Sequence, residues 1–367
     1  MSAPVGGPTP PIRLPGTMDV TVVEGSSFCR SSRTGDIDPH AAHGLFVHDT
    51  RIISRWELTL DDQPLVGLGV LTPDPFAATF LTRGPARPGN PEPTVVVERR
   101  RLVADGLRED LTVRNYGQET LGATLELAVG ADFADLFAVK DGRPASPGPI
   151  RRHASGEDLE LAVSRNGARR GVRVRGQGGH ASRDAIRWQL AIAPNGQWRT
   201  TIEVLPSVGG TETPAVFPTD TPVDTAPPAR GLRDWRASAP TVHADYPPLQ
   251  TALERSVGDL GSLRITDPGH PDLDIIAAGA PRFMALFGRD SLITSWLALP
   301  WNLSLTWLPT ASSRARSPSA GPFETTWGCY DNSVPCRAQE PQPKTCSQDD
   351  PDRKPKAAPA ALSLGAR

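Results

Sequence analysis

From residue 18 to residue 206 apolar and polar positions alternate with a period of two, in short runs separated by turn residues. Trp56, Leu58 and Leu60 alternate with Arg55, Glu57 and Thr59, which predicts a half-buried strand, and Asp61-Asp62 turns the chain toward Leu65 and Val66. Thr94 to Val103 is β-branched and charged; Asp105-Gly106 follows, and Leu107, Leu111 and Val113 resume the alternation. An Asp-Gly pair between two alternating runs predicts a hairpin, because a type I′ turn needs positive φ at both central residues. Leu121, Ala123, Leu125, Leu127 and Val129 predict another strand. Leu159, Leu161 and Val163 lead through Asn166-Gly167 to Val172 and Val174. Ile186, Trp188, Leu190 and Ile192 lead through Pro194-Asn195-Gly196 to Trp198, Thr200, Ile202 and Val204. Many strands with short turns and one apolar face each predict antiparallel sheets packed face to face. The expected fold class is mainly β, with an antiparallel β-sandwich over residues 18–206.

The rest of the chain departs from that period. Residues 1–17 hold five prolines and little that can pack, so a disordered lead is expected. Residues 207–240 have the Pro, Thr, Ala and Gly content of a linker, with Trp235 expected to pack on a neighbouring domain. Leu249, Leu253, Val257 and Leu260 then recur at helical spacing, and Pro247 and Pro248 suit a first turn, so a helix is expected over 247–261. Extended pieces follow at Leu263, Ile265 and Leu273 to Ile276. In Ala277 to Pro300, Gly279, Pro281 and Gly288 mark a bent loop, and Asp290 or Ser291 can cap the next helix. Leu292, Ile293, Trp296, Leu297 and Leu299 predict that this helix is largely buried. A partial helical domain is thus expected over 241–308 and a disordered tail over 309–367, where large apolar residues are few.

Composition narrows the function. The chain has 39 basic and 41 acidic residues and a net charge of -2, which gives no reason to expect nucleic acid or an acidic membrane surface as partner. No apolar run approaches the ~20 residues of a membrane span. MSAPVGGPTPP has neither a basic n-region nor an apolar h-region, so no secretory leader is expected. The four cysteines, Cys29, Cys329, Cys336 and Cys346, show no C-x-x-C spacing. The expectation is a cytoplasmic protein without metal or cofactor.

Candidate chemistry gathers at Arg289 and Asp290, which start a helix beside Phe283, Phe287 and Trp296. A guanidinium that donates and a carboxylate that accepts suit vicinal sugar hydroxyls. On residue types alone, an Arg–Asp ion pair closing the helix end is the simpler reading. In HGLFVHDTR, with His43, His48, Asp49 and Arg51, acid–base chemistry competes with an Asp49–Arg51 ion pair that positions a turn. ADFADLFAVK (Ala131 to Lys140), with Asp132, Asp135 and Lys140 around Phe133, Leu136 and Phe137, breaks the two-residue period and is expected to be a loop or helical turn beyond a strand end, with structural packing the favoured reading and a contribution to a substrate cleft the alternative. Arg99, Arg100 and Arg101 read as a solvated edge.

FGRDSL with its apolar helix resembles the start of the catalytic domain in the glycogen debranching (amylo-α-1,6-glucosidase) family, related to glucoamylases. Gly44 to Leu65, Arg100 to Gly117 and Ala131 to Lys140 resemble the N-terminal domain of bacterial members, and the similarity runs over roughly 18–300. The resemblance implies a sandwich preceding an (α/α)6 toroid, of which only the first helices are present. It implies hydrolysis of α-1,6-glucosidic branch linkages in glycogen or a related α-glucan. Arg289 and Asp290 would contact glucose at the cleavage subsite. Phe287 and Trp296 are candidates for apolar surface under a sugar ring, with core packing as the competing reading. The family's general acid and base lie beyond the point where similarity stops, so no residue is assigned a catalytic role and the chain is expected to be an inactive fragment. A non-catalytic carbohydrate-binding or interaction module is the alternative, and a fragment without function a third. The change of character near Pro300 predicts a shifted reading frame, against a genuine disordered extension. Sequencing the coding DNA checks this: an alternative frame that encodes helices supports the shift, and its absence removes it.

Overall fold

A computed structural model describes residues 19–86, 92–165, 167–241, 243–267, 270–280, 284 and 288–298. The expected lead over 1–17, Phe283, Phe287, Leu299, the tail and its three cysteines lie outside the described residues, as do the side chains of Arg289, Asp290 and Leu292.

The mainly β, antiparallel expectation holds. A large sheet has the strand order Arg151–Ser155, Asp158–Arg165, Ala168–Gly176, Gln197–Val208, Leu107–Asn115, Val95–Val103, Ala77–Arg83, Val66–Asp74. Facing it is a sheet built around Ala185–Ile192, Leu121–Gly130 and Arg55–Leu60. Their inner positions merge into one core, with Trp56, Leu58 and Leu60 from one side and Leu111, Val113, Ile202 and Val204 from the other. A third sheet takes Val20–Glu24, Ser27–Ser31, Gly44–Val47, Thr50–Ile53 and Ala134–Asp135 in that order. The turns follow the sequence signals: Asp61 and Asp62 have φ of 50° and 59°, Asp105 has 43°, and Asn195 has 55°.

The run at Arg99 to Arg101 is corrected. Only Arg100 is exposed; Arg99 and Arg101 are fully buried. Their strand is central in the large sheet, and they share an inward face with Val95, Val97 and Val103. Glu109, also fully buried, lies across the hairpin opposite Arg101. Arg99 Nε donates to Glu109 Oε1 at 2.9 Å and Arg101 Nε to Oε2 at 2.7 Å. Trp56 Nε1, from the facing sheet, donates to Glu109 Oε1 at 3.3 Å. Burial by itself raises the Glu109 carboxyl, but the two guanidinium groups outweigh it and hold the group below the ordinary carboxylate range. Arg99 also reaches Asp36 Oδ1 at 2.5 Å, and Arg101 reaches Gly35 O at 2.6 Å. Arg99, Arg101 and Glu109 therefore close on each other out of water, with the half-buried Asp36 at the side. Gly35, at φ 85°, is required there, since a Cβ would stand 2.9 Å from the Phe80 ring.

Residues 207–240, of linker composition, contain a helix. After α1 (Leu136–Lys140) come α2 (Pro227–Ser238), α3 (Pro247–Ser262) and α4 (Gly288–Ala298). Pro228, Leu232 and Trp235 recur at helical spacing and are buried against Phe76, Leu102 and Phe217. α3 begins and ends within a residue of its predicted bounds. It crosses α2 closely: Trp235 Nε1 donates to Val257 O at 2.7 Å, and a Cβ on Gly261 would stand 2.6 Å from the Trp235 ring. Leu253, Val257 and Leu260 are only half-buried, and Leu249 is exposed.

Replacing Glu109 with Leu leaves two buried guanidinium groups short of a carboxylate and is expected to cost about 3–5 kcal/mol. Arg100→Ala, on the exposed side of the same strand, should change stability by no more than about 0.5 kcal/mol. Urea unfolding of both variants checks the pair; equal effects would contradict the burial of the network.

Candidate functional site

The segments that carry chemistry in the sequence meet at one end of the sandwich. Gly44–Val47 and Thr50–Ile53 are joined by a two-residue turn in which His48 and Asp49 have φ of 45° and 58°. Arg51, 1% exposed, points inward from the second strand. Its carboxylate partner is Asp132 rather than Asp49: Nε donates to both Asp132 oxygens at 3.1 Å. Arg51 Nη1 donates to His43 O at 3.0 Å. The Asp49–Arg51 pair does not form: Arg51 is taken up by Asp132, and the charged groups acting on Asp49 are Asp135 and His48. Asp49 lies half-buried, and its carboxyl is raised, first by burial and then by the charge of Asp135, with His48 pulling the other way. His48 itself is exposed, 3.2 Å through Nδ1 from Ser26 Oγ.

ADFADLFAVK is the expected helical turn past a strand end. Phe133 has φ 51° and is buried, and Ala134–Asp135 pairs with Thr50 and Arg51. Asp135 caps α1 through its side chain, accepting from Phe137 N at 2.8 Å. Leu136 N donates to Asp49 O at 2.9 Å, which locks the two segments together. Asp132 and Asp135 are thus both in structural use.

Onto this surface the loop before α4 settles. Ala277 and Met284 are buried with Phe28, Phe46, Ala134, Leu136 and Val139. Phe28 and Phe46 stack with ring centroids 4.6 Å apart. Ala277 N donates to Leu263 O at 2.9 Å, and Ser291 Oγ, on the first turn of α4, donates to Ile276 O at 2.8 Å. The start of α4, where Arg289 and Asp290 stand, is therefore tied by one buried hydroxyl to the two-stranded sheet Arg264–Asp267/His270–Ile276, and Ala277 and Met284 of the preceding loop pack on the sandwich. The expected cap at Asp290 or Ser291 is corrected: α4 begins at Gly288, so both residues fall inside its first turn, and Ser291 serves as an anchor.

The prediction of a largely buried α4 is corrected. Among the described side chains of α4, Ser291 and Ala298 are the buried positions, whereas Ile293 is 47%, Trp296 70% and Leu297 66% exposed. Ser291 faces the strand His270–Ile276, to whose last residue its hydroxyl donates. Trp296 is therefore a surface side chain among the described residues. No cluster of three or more His, Cys, Asp or Glu able to hold a metal occurs among the described residues, and no described helix is long and apolar enough to cross a membrane.

Sequence reasoning missed the buried roles of Arg51, Arg99, Arg101 and Glu109. A signal was present. Arg99 and Arg101 stand in phase with Val95, Val97 and Val103, and Glu109 with Leu107 and Leu111, so alternation places all three on the apolar face.

Residues 22–203 match the family described as the N-terminal domain of (some) glycogen debranching enzymes. Among solved structures, the chain is similar to a protein provisionally described as a kojibiose phosphorylase from the human microbiome, at 9% identity and TM-score 0.34, over 53% of this chain and 30% of that one. It is similar to a protein provisionally described as an aldose 1-epimerase from Escherichia coli K12, at 11% identity and TM-score 0.32, over 53% of this chain and 100% of that one. A galactose mutarotase-like protein from Clostridium acetobutylicum matches at 7% identity and TM-score 0.30, over 52% of this chain and 95% of that one. The chain thus spans less than a third of the phosphorylase. No curated protein matches it.

The two alternative partners of Arg51 can be told apart. Asp132→Ala is expected to lower stability by about 1–3 kcal/mol, discounted because the carboxylate is partly solvated. Asp49→Asn, which keeps a residue tolerant of positive φ, should stay within about 0.5 kcal/mol of the parent. Urea unfolding with the reverse order would assign Arg51 to Asp49.

Proposed function

We propose, from the premise that residues 22–203 belong to the family of N-terminal domains of (some) glycogen debranching enzymes, that the protein serves α-glucan metabolism in the cytoplasm and holds sugar at the start of α4. The parent reaction is hydrolysis of α-1,6-glucosidic branch linkages. That reaction needs a carboxylic acid to protonate the leaving oxygen and a carboxylate to activate water from the opposite face. Residues 18–300 supply binding and positioning, and the acid and base belong to sequence that the resemblance places further on.

The observation that carries this reading is an exposed indole on an anchored helix. Trp296 is 70% exposed on α4, whose first turn is tied to Ile276 O through Ser291. By helical spacing, positions 289, 293 and 296 fall on one face. A pyranose presents C–H groups on one side and hydroxyls around its rim. An exposed indole suits the first, and a guanidinium with a neighbouring carboxylate suits the second. Phe287, next to this turn in sequence, belongs to the same proposed surface.

Isothermal titration with maltotriose and isomaltose, run beside glucose release from a limit dextrin, tests the proposal. Sugar binding weakened roughly tenfold by Asp290→Ala and by Trp296→Ala is expected, about 1.4 kcal/mol each, with no glucose release. Glucose release that depends on Asp290 would show a complete catalytic pair. Binding indifferent to both substitutions would move the ligand to the sandwich and favour a non-catalytic carbohydrate-binding module.

A further inference from the structure

The large sheet has two edges, and they differ in what they offer a neighbour. One is Arg151–Ser155, where Arg151, Arg152 and His153 are all exposed. The other is Val66–Asp74, which among the described strands pairs with Ala77–Arg83 alone. The protein itself closes the far end of that strand: Arg255 of α3 donates to Thr72 O at 2.7 Å, and Arg236 of α2 to Asp74 Oδ1 at 3.0 Å. Among the described residues, nothing pairs with the outer edge of residues 66–71. The same stretch carries apolar side chains in water. Leu71 is 70% exposed, and Val66, Leu68 and, on the neighbouring strand, Leu81 are exposed as well. No charged residue occurs from Gln63 to Pro73. A free edge without charge is a template for another strand, because its backbone donors and acceptors have no competing guard.

We propose that residues 66–71 are a dimerisation edge, at which two copies of this chain pair antiparallel about a two-fold axis and join their large sheets. Charge favours a second copy here. Self-pairing of this uncharged stretch sets no like charges opposite each other, whereas self-pairing at Arg151–Ser155 would set arginine against arginine. Shape favours it too. Val70 and Phe80 pack inward on the core, so Gly69, Leu71 and Leu81 share the outer face. Gly69 stands opposite Leu81 in the register, and a Cβ built on it would meet nothing within 4 Å. Pairing centred on Val70 brings Leu71 of each copy opposite Gly69 of the other. Each Leu71 then fills the space that Gly69 leaves and covers the Leu81 beyond it. The fit occurs twice, and the two-fold closes the assembly at two copies.

The register also limits the contact. It shifts between Gly67 and Gly69, so Leu68 is an extra residue at the rim and the regular pairing is confined to Gly69–Leu71. Arg255 on Thr72 O stops it at the other end. A short ladder with a few apolar side chains around it belongs to the weak class of interface, with a dissociation constant on the order of micromolar. The dimer requires no sugar chemistry and stands apart from the carbohydrate reading above.

Sedimentation of the full chain between about 1 and about 200 µM tests it, and a monomer–dimer equilibrium is expected in that range. Leu71→Lys, which sets an ammonium in the contact, and Gly69→Val, which fills the space meant for Leu71, should each weaken the dimer roughly tenfold or more. Both positions face open space, so both variants should keep the parent's urea midpoint. Val208→Lys, which removes another exposed apolar residue away from this edge, should leave the dimer unchanged. Hydrogen exchange of the amides at 66–71 should slow as protein concentration rises. A monomer at every concentration overturns the proposal, as does a dimer indifferent to both edge substitutions. Strong protection of 66–71 that does not depend on concentration also overturns it, since it would show the edge covered by the chain itself. Should Gly69→Val fail to fold, Leu71→Lys decides.

Discussion

The packing of the two main sheets depends on one arrangement of charges, Arg99 and Arg101 closed on Glu109 with Asp36 at the side. The three residues on the large sheet are fully buried, in a core otherwise made of apolar side chains, chiefly Leu, Val and Ile with Trp56, Phe80 and Trp188. Such a group stabilises only as a whole, because each member left alone is a bare charge in a poorly polarisable medium. It also specifies geometry. Trp56 Nε1 reaches Glu109 from the facing sheet, and the carbonyls of Thr34 and Gly35 accept from the two arginines. A slip of one residue in the hairpin at Asp105-Gly106 would turn the charges toward solvent and the solvent side inward.

On that rigid base, the end of the sandwich carries a mount of a different kind. The third sheet, the capped turn of α1 and the Phe28–Phe46 stack make an apolar floor. Ala277 and Met284 rest on it, and Ser291 ties the first turn of α4 to the strand before the loop. Anchoring small residues and leaving Trp296 outward gives a helix that is held in place yet presents a large apolar surface.

The junction between sandwich and helices is a close one: Trp235 of α2 packs with Phe76 and Leu102 of the sandwich, and Gly261 of α3 crosses against its ring.

The strands of the sandwich were legible because their information is local. A half-buried strand writes its faces into alternate residues, as at Trp56, Leu58 and Leu60, and Asp-Gly or Asn-Gly marks the turn by conformational need alone. Helix α3 was legible for the same reason. α2 was not, since three apolar residues among prolines and charges do not announce a helix until Phe76 and Phe217 are there to cover them. Partners and orientation belonged to the tertiary structure. Which carboxylate meets Arg51 depends on a residue 81 positions away. Whether Arg99 to Arg101 faces water depends on where its strand sits in the sheet. Whether Trp296 is core or surface depends on which side of α4 finds a neighbour. Sequence by itself determined the period, the turns and the chemical types on offer. Pairing, burial and protonation were decided by groups distant along the chain and close in space, because those are the interactions whose energies only the assembled fold defines.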